Sequence, residues 1–274
     1  MQIEEKPFYV MGIINATPDS FYDGGSYFSV DRAFEHAQQL IAEGADILDI
    51  GGASSRPGAA EVDSEQERDR IVPVIKKIRE INPDIPVSID STWVSVAGAA
   101  VEAGATIIND ISSGRFDKTM SAFVASADVD VILMHSRKDP QTMQIEPAYE
   151  DVVADVTNEL FSAVGSFETA GVKRDRIMID PGIGFAKDTM HNVALLGSID
   201  AFVKTGYPVV LGTSRKRFVG MITGRDVKDR LCGTLGSIAS AFLSGVKIFR
   251  VHDVAATVDF LKVMTAIEYG NCTV

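Results

Sequence analysis

The chain has 274 residues, 46 % of them hydrophobic, with 38 acidic against 26 basic side chains and a formal net charge of −12. That length buries a substantial core and suits one large α/β domain or two small ones. The acidic balance argues against nucleic acid as a partner, and an anionic ligand would need a local basic cluster opposing the global field. No apolar run is long enough to span a bilayer, and the first residues, with Glu4, Glu5 and Lys6, lack a basic-then-apolar secretory pattern. The two cysteines, Cys232 and Cys272, lie far apart without metal-ligand spacing. Both read as reduced thiols of a cytoplasmic protein, with Cys232 expected in the core.

Short β-rich apolar runs alternate with longer segments of helical period. The candidate strands are Phe8–Asn15, Asp46–Gly52, Pro86–Ser91, Thr106–Ser112, Val129–His135, Ile177–Gly182, Pro208–Ser214 and Ile248–Val254. Between them, Ser29 or Asp31 caps a predicted helix reaching Gly44, with Ala33, Ala37, Leu40 and Ile41 on one face. Ser64 and Glu67 form a capping-box pattern ahead of Ile71, Val74, Ile75 and Ile78. Further helices are predicted over Val94–Ala103, Lys118–Ala127, Tyr149–Ala170, His191–Thr205, Arg215–Ile222, Arg230–Leu243 and Ala255–Tyr269. The segments Glu43–Asp46, Glu102–Ala105 and Ser244–Gly245 read as turns from a helix end into the next strand. Eight strand–helix units without a linker predict a single (β/α)8 TIM barrel spanning 1–274, with a doubly wound open sheet as the alternative.

The polar residues collect at the carboxyl ends of these strands, where a parallel α/β protein binds its ligands. The first strand ends at Asn15 and runs into A-T-P-D-S-F-Y-D-G-G, carrying Asp19, Phe21 and Asp23. The second ends in G-G-A-S-S-R-P-G, carrying Ser55, Arg56 and Pro57. The third ends at Asp90, the fourth at Asn109 and Asp110, and the fifth at His135. The sixth, I-M-I-D-P-G-I-G-F, places Asp180 at the end of a buried strand that Pro181 and Gly182 stop. The seventh supplies S-R-K-R, Ser214 to Arg217, and the eighth R-V-H-D, with Arg250, His252 and Asp253.

Two halves of this rim separate by charge. Asp90, Asn109 and Asp180 suit a flat, nitrogen-rich heterocycle, because a carboxylate accepts two hydrogen bonds from an amino-amidine edge. Arg56, Lys216, Arg250 and His252, with the start of the helix after the seventh strand, form a basic counterpart where such barrels commonly hold phosphate. Structural readings stand beside these: Asp110 bracing a turn, Asp253 capping the last helix, Arg215 and Arg217 as solvated charges, and His135 as a satisfied rim histidine. His36 and His191 fall in helical stretches and read as surface residues. A nucleophile elbow, a Walker loop and a zinc ligand set are all missing from the sequence. The pattern points to displacement of a phosphate-type leaving group from a carbon that bears the heterocycle.

Taken in order, G-I-I-N-A-T-P-D-S-F-Y-D-G-G, D-I-G-G-A-S-S-R-P-G, S-I-D-S, N-D-I-S, D-P-G-I-G-F, G-T-S-R-K-R-F and R-V-H-D-V resemble the dihydropteroate synthases of folate biosynthesis across essentially the whole chain. The resemblance implies a homodimeric (β/α)8 enzyme that joins 6-hydroxymethyl-dihydropterin pyrophosphate to para-aminobenzoate, uses Mg2+ and binds sulfonamides. By it, Asp90, Asn109, Asp180 and Lys216 hold the pterin and carry the catalysis. Asn15, Arg250 and His252 hold the pyrophosphate, with Asn15 and Asp23 near Mg2+. Phe21, Ser55, Arg56, Pro57, Phe185 and Lys216 shape the aminobenzoate pocket. Three residues depart from the family's usual pattern: Ala53 stands for Glu, Ser55 for Thr, and Ala186 for Gly. A pterin-dependent methyltransferase would share Asp90, Asn109 and Asp180 but has no use for N-A-T-P-D-S-F, S-S-R-P-G and S-R-K-R. A pterin-binding paralogue without turnover would not need Asn15, Lys216, Arg250 and His252 intact.

Overall fold

The computed structural model describes residues 6–17, 30–53, 62–137 and 148–270. Strand β1 (Tyr9–Asn15) leads through helix α1 (Val30–Ala42) to β2 (Ile47–Gly51), and α2 (Ser64–Ile81) leads on to β3 (Val87–Asp90). Helix α3 (Val94–Ala103) precedes β4 (Ile107–Asp110), α4 (Met120–Ala127) precedes β5 (Asp130–Met134), and α5 (Val152–Thr169) precedes β6 (Ile177–Asp180). Then come α6 (Thr189–Gly197), α7 (Asp200–Val203), β7 (Val210–Leu211), α8 (Arg217–Thr223), α9 (Leu231–Leu243), β8 (Ile248–Val251) and α10 (Val254–Tyr269).

All ladders are parallel, in the order β6-β5-β4-β3-β2-β1-β8-β7, and a parallel bridge from Ile179 to Val209 joins the two ends. The predicted (β/α)8 barrel is therefore what forms, and not the open sheet. Alternation along each strand sends successive side chains to opposite faces. One face, with Val10, Leu48, Ile50, Val87, Ile108, Leu133, Ile179 and Phe249 among others, packs under the helices. The other face fills the barrel interior with Tyr9, Met11, Ile47, Ile107, Ile132, Met178, Val210 and Ile248. The turns expected before β2, β4 and β8 are present, with Gly44, Gly104 and Gly245 at φ of 95°, 113° and 94°.

Several local expectations are corrected. Helix α2 is capped by Asp63, whose carboxylate accepts from the Gln66 N–H, and not by Ser64; Glu67 turns inward and is 2 % exposed. The helix predicted over His191–Thr205 is two helices, α6 and α7, separated at Ser198 and Ile199. Helix α8 begins at Arg217, with Lys216 as its cap residue, and the strand expected over Pro208–Ser214 pairs only at Val210 and Leu211. Cys232 is exposed on α9, because it falls off the buried stripe of Thr234, Ile238, Ala241 and Phe242. No helix of the described residues is long and apolar enough to cross a membrane.

Candidate active site

The inner face changes character one layer above the apolar plug. Continuing the alternation past Ile47, Ile107, Met178 and Ile248 places Asp49, Asn109, Asp180 and Arg250 inward, at the carboxyl ends of β2, β4, β6 and β8. On β3, Ser88 and Asp90 take the corresponding places beside Asp49 and Asn109, with register pairs Asp49–Ser88 and Asp90–Asn109. On β5 it is Met134, paired in register with Asp180, that offers an apolar side chain to the same layer. Asp110 has the opposite parity and points outward. Its carboxylate accepts from Ser112 N–H (2.8 Å), Ser112 Oγ (2.7 Å) and Gly114 N–H, the turn-bracing reading.

Arg250 binds the two charge classes together. Its Nε donates to Asp49 Oδ2 at 2.6 Å and its Nη2 to Asp90 Oδ2 at 2.8 Å. Asp49 is fully buried, and it also accepts from Ser88 Oγ at 2.6 Å and from Asn109 Nδ2 at 3.3 Å. The expected separation into an acidic and a basic half is thus replaced by one interleaved network. Burial pushes the Asp90 carboxyl up to about 7, with the Asp49 charge adding to it and the Arg250 guanidinium opposing it. Burial works against the Arg250 cation too, but its two carboxylates hold its pKa above the ordinary arginine value.

Asp180 lies 6 % exposed and accepts from the Gly182 N–H at 2.7 Å. Desolvation pushes its carboxyl upward, and the Lys216 ammonium opposes that shift. Gly182 is required here: φ is 68°, and a Cβ would fall 1.9 Å from the His135 carbonyl oxygen. Lys216, lowered to about 8 by burial with Asp180 pulling the other way, donates to the Ile183 carbonyl and stands 4.5 Å from the centre of the Phe185 ring. Ala186, in the place where a Gly is usual, has a φ of 49°, a conformation glycine adopts without strain.

On the other side of the mouth, Ser214 Oγ accepts from the His252 N–H at 3.1 Å and lies 3.0 Å from His252 Nδ1. Asn15 ends β1 exposed. Arg215 is not a free surface charge, and Asp253 makes no side-chain cap: they pair with one another, Arg215 Nε to Asp253 Oδ2 at 2.9 Å. Beneath the rim, His135 is 4 % exposed between Lys187 Nζ on Nδ1 and Glu159 Oε2 on Nε2, both at 2.9 Å. Lys187 is a donor only, so Nδ1 accepts and Nε2–H donates to Glu159. Desolvation and the Lys187 charge lower His135 to about 3, and the ring is neutral, as the satisfied-histidine reading expects.

The strand network thus brings together Asp90, Asn109 and Arg250, and a second group assembles Asp180, Lys216 and Phe185. Phe21, Asp23, Ser55, Arg56 and Pro57 lie outside the described residues, as do Asp19 and Cys272. Sequence reading missed Asp49, Lys187 and Asn192, and took Glu67 only as a capping residue. Asp49 carried a signal, being a lone acid inside I-L-D-I with the parity of an inward residue. Lys187 and Asn192 carried none, since both read as ordinary polar residues around a helix start. Among the described residues no cluster of three or more His, Cys, Asp or Glu could hold a metal. Asn15, a hard oxygen donor at the mouth, fits Mg2+ as an ion that takes one or two protein ligands and completes its shell with phosphate oxygens and water.

Comparison with known proteins agrees with this geometry. Residues 11–252 match the family model described as pterin binding enzyme. A dihydropteroate synthase of Streptococcus pyogenes serotype M6 is 45 % identical over 260 residues, covering 94 % of this chain and 95 % of its own. The Xanthomonas albilineans dihydropteroate synthase solved with 4-aminobenzoic acid superposes with a TM-score of 0.89 at 43 % identity, over 96 % of this chain and 94 % of its own. The same enzyme in complex with 7,8-dihydropteroate gives 0.87 at 39 % identity, over 98 % and 95 %. This chain belongs to the pterin-binding enzyme family, among its dihydropteroate synthases.

Proposed function

We infer that the chain condenses 6-hydroxymethyl-7,8-dihydropterin pyrophosphate with para-aminobenzoate to give 7,8-dihydropteroate and pyrophosphate. The observation that carries this reading is the inward-facing set of Asp90, Asn109 and Asp180 with the cations Lys216 and Arg250 beside it. The carboxylates and the amide accept from and donate to the amino-amidine edge of the pterin, and Met134 packs against its face. Asp180 stands where positive charge builds as the C–O bond to pyrophosphate breaks. The aminobenzoate nitrogen forms the new C–N bond and then sheds its own proton, so no protein nucleophile is needed. Arg250, His252 and Asn15 line the side from which pyrophosphate departs. Mg2+, held by Asn15 and Asp23, would neutralise phosphate charge there. Phe185 and Lys216 are assigned to the aminobenzoate side, where sulfonamides of the same aniline shape would compete, and the family resemblance assigns Phe21, Ser55, Arg56 and Pro57 to the same task.

A homodimer is supported by the exposed apolar residues Leu243, Val263, Ile267 and Tyr269 on α9 and α10, and sedimentation equilibrium tests it. Work in the cytoplasm is supported by the free thiol of Cys232. The central test is pyrophosphate release measured with and without para-aminobenzoate, in the wild type and in Asp180→Asn. Release that ignores the amine, or near-normal turnover in the mutant, would refute the assignment.

A further inference from the structure

Three consecutive residues of the loop after β6 are each held by a different side chain. Lys216 Nζ donates to the Ile183 carbonyl. The Gly184 N–H donates to Asn192 Oδ1 at 2.6 Å. Lys187 Nζ donates to the Phe185 carbonyl at 2.9 Å. Lys216 belongs to the rim, whereas Lys187 and Asn192 are 3 % and 2 % exposed and reach the loop only through its backbone.

The chemistry of both buried groups is saturated by this task. An ammonium has three hydrogens, and Lys187 meets three acceptors: Phe185 O, His135 Nδ1 at 2.9 Å and His135 O at 3.4 Å. Asn192 Nδ2 donates to the Asp188 and Lys187 carbonyls at 2.6 and 3.4 Å, which fixes Oδ1 toward Gly184. No carboxylate is hydrogen-bonded to Lys187 among the described residues; burial lowers its ammonium to about 7, with Asp180 at longer range pulling the other way, and the Tyr149 ring lies 5.9 Å away. Burying a cation in that way costs free energy that a methionine of similar volume would not incur. The cost is offset by a backbone held in one geometry. In that geometry Gly184 sits at a φ of 84°, so tight against Lys216 that a Cβ would fall 2.9 Å from Lys216 Cδ.

We propose that Lys187 and Asn192 are positioning residues for the amine substrate: they clamp Gly184 and Phe185 so that the Phe185 ring and the Lys216 ammonium are presented together at the mouth. This rests on the assignment of Phe185 and Lys216 to the aminobenzoate side. Lys187→Met and Asn192→Ala, each in the full chain, test it by hydrogen exchange over residues 182–187 and by the two Michaelis constants. In both variants exchange of that segment should rise at least tenfold. KM for para-aminobenzoate should rise at least tenfold, with less than a threefold change in KM for the pterin pyrophosphate. Unchanged exchange, equal rises in both constants, or a fall in kcat with both constants unchanged overturns the proposal. Should Lys187→Met fail to fold, Asn192→Ala decides alone. A wild type without amine-dependent pyrophosphate release would defeat the functional reading instead, and the exchange experiment would still decide whether the clamp exists.

Discussion

Asp49 on β2 and Arg250 on β8 meet across the barrel mouth, the Arg250 Nε 2.6 Å from the Asp49 carboxylate, although 201 positions separate them in sequence. Neither is free to serve a ligand alone. The pair, with Asp90 on the second guanidinium nitrogen, holds Arg250 in one orientation, which leaves fewer rotamers to freeze on binding an anion.

Removing one partner of such a pair exposes its role. Asp49→Asn keeps the size and a hydrogen-bond acceptor for Ser88 but strips the charge that balances Arg250. Breaking a buried pair costs about 3–5 kcal/mol, and the remaining Asp90 should hold the loss to the lower end. Urea unfolding is expected to show that loss, together with weaker binding of the pterin pyrophosphate. A stability within about 0.5 kcal/mol of wild type, the range of ordinary surface changes, would mean that the pair does not matter.

The anion side yields a contrast between two neighbours. Arg250→Ala uncovers Asp49 and Asp90 and should cost both stability and pyrophosphate affinity. His252→Ala removes a half-buried ring at the mouth whose Nδ1 lies 3.0 Å from the Ser214 hydroxyl and breaks no buried ion pair, so it should cost affinity by about 1–2 kcal/mol and change the melting temperature far less than Arg250→Ala does. Calorimetry with pyrophosphate and thermal melts separate the two. Equal destabilisation by both substitutions would argue for a bracing role instead.

Glu67 makes stability depend on pH. It is buried at the amino end of α2 with Oε1 lacking a partner among the described residues, and burial pushes its carboxyl up to about 7, the Ser91 hydrogen bond opposing and the Asp90 charge adding. A folded-state value above the unfolded 4.5 means that the native protein binds the extra proton between those limits. Stability from this group is therefore full below about 4.5 and is lost as pH rises toward 7. Glu67→Gln should flatten that part of the profile and be more stable than wild type at pH ~8, on the order of 2–3 kcal/mol. Urea midpoints at pH ~5 and ~8 check it; a mutant that is less stable at both would show that the carboxylate is needed ionised.

What the sequence made legible follows from how each feature is encoded. Eight apolar runs, each ending in polar residues, make Asp90, Asn109 and Asp180 readable as a set at the strand ends, whereas the inward or outward parity that turns Asp110 away follows from the strand geometry. The ends of elements were less readable, because competing caps such as Asp63 and Ser64 stand side by side and only tertiary burial of Glu67 chooses between them. Arg250 was placed with the phosphate side, yet its partners come from β2 and β3, a juxtaposition that only barrel closure creates. Lys187 carries no signal of burial in the sequence, because its burial depends on His135, contributed by another strand.

The two substrates should enter in a fixed order. The groups assigned to the pterin, Asp90, Asn109 and Asp180, sit on strands joined by hydrogen-bonded ladders within the barrel. Most groups assigned to para-aminobenzoate, Phe21, Ser55, Arg56 and Pro57, belong instead to the Gly-, Pro- and Ser-rich segments after β1 and β2. Arg56 and Asp23 lie on those same two segments of the sequence, so the segments assigned to contact the anion and its cation are also those that carry the amine-binding groups. The pterin pyrophosphate should therefore bind first, and para-aminobenzoate should bind weakly until pyrophosphate and Mg2+ are present. Ser55 in place of the usual Thr removes one methyl contact, worth about 1 kcal/mol, so the assembled pocket should still hold the amine with only modestly lower affinity. Titration of para-aminobenzoate into the empty protein and into protein saturated with pyrophosphate and Mg2+ measures the difference. Equal affinity in the two titrations would show that the amine pocket is complete beforehand and that entry is unordered.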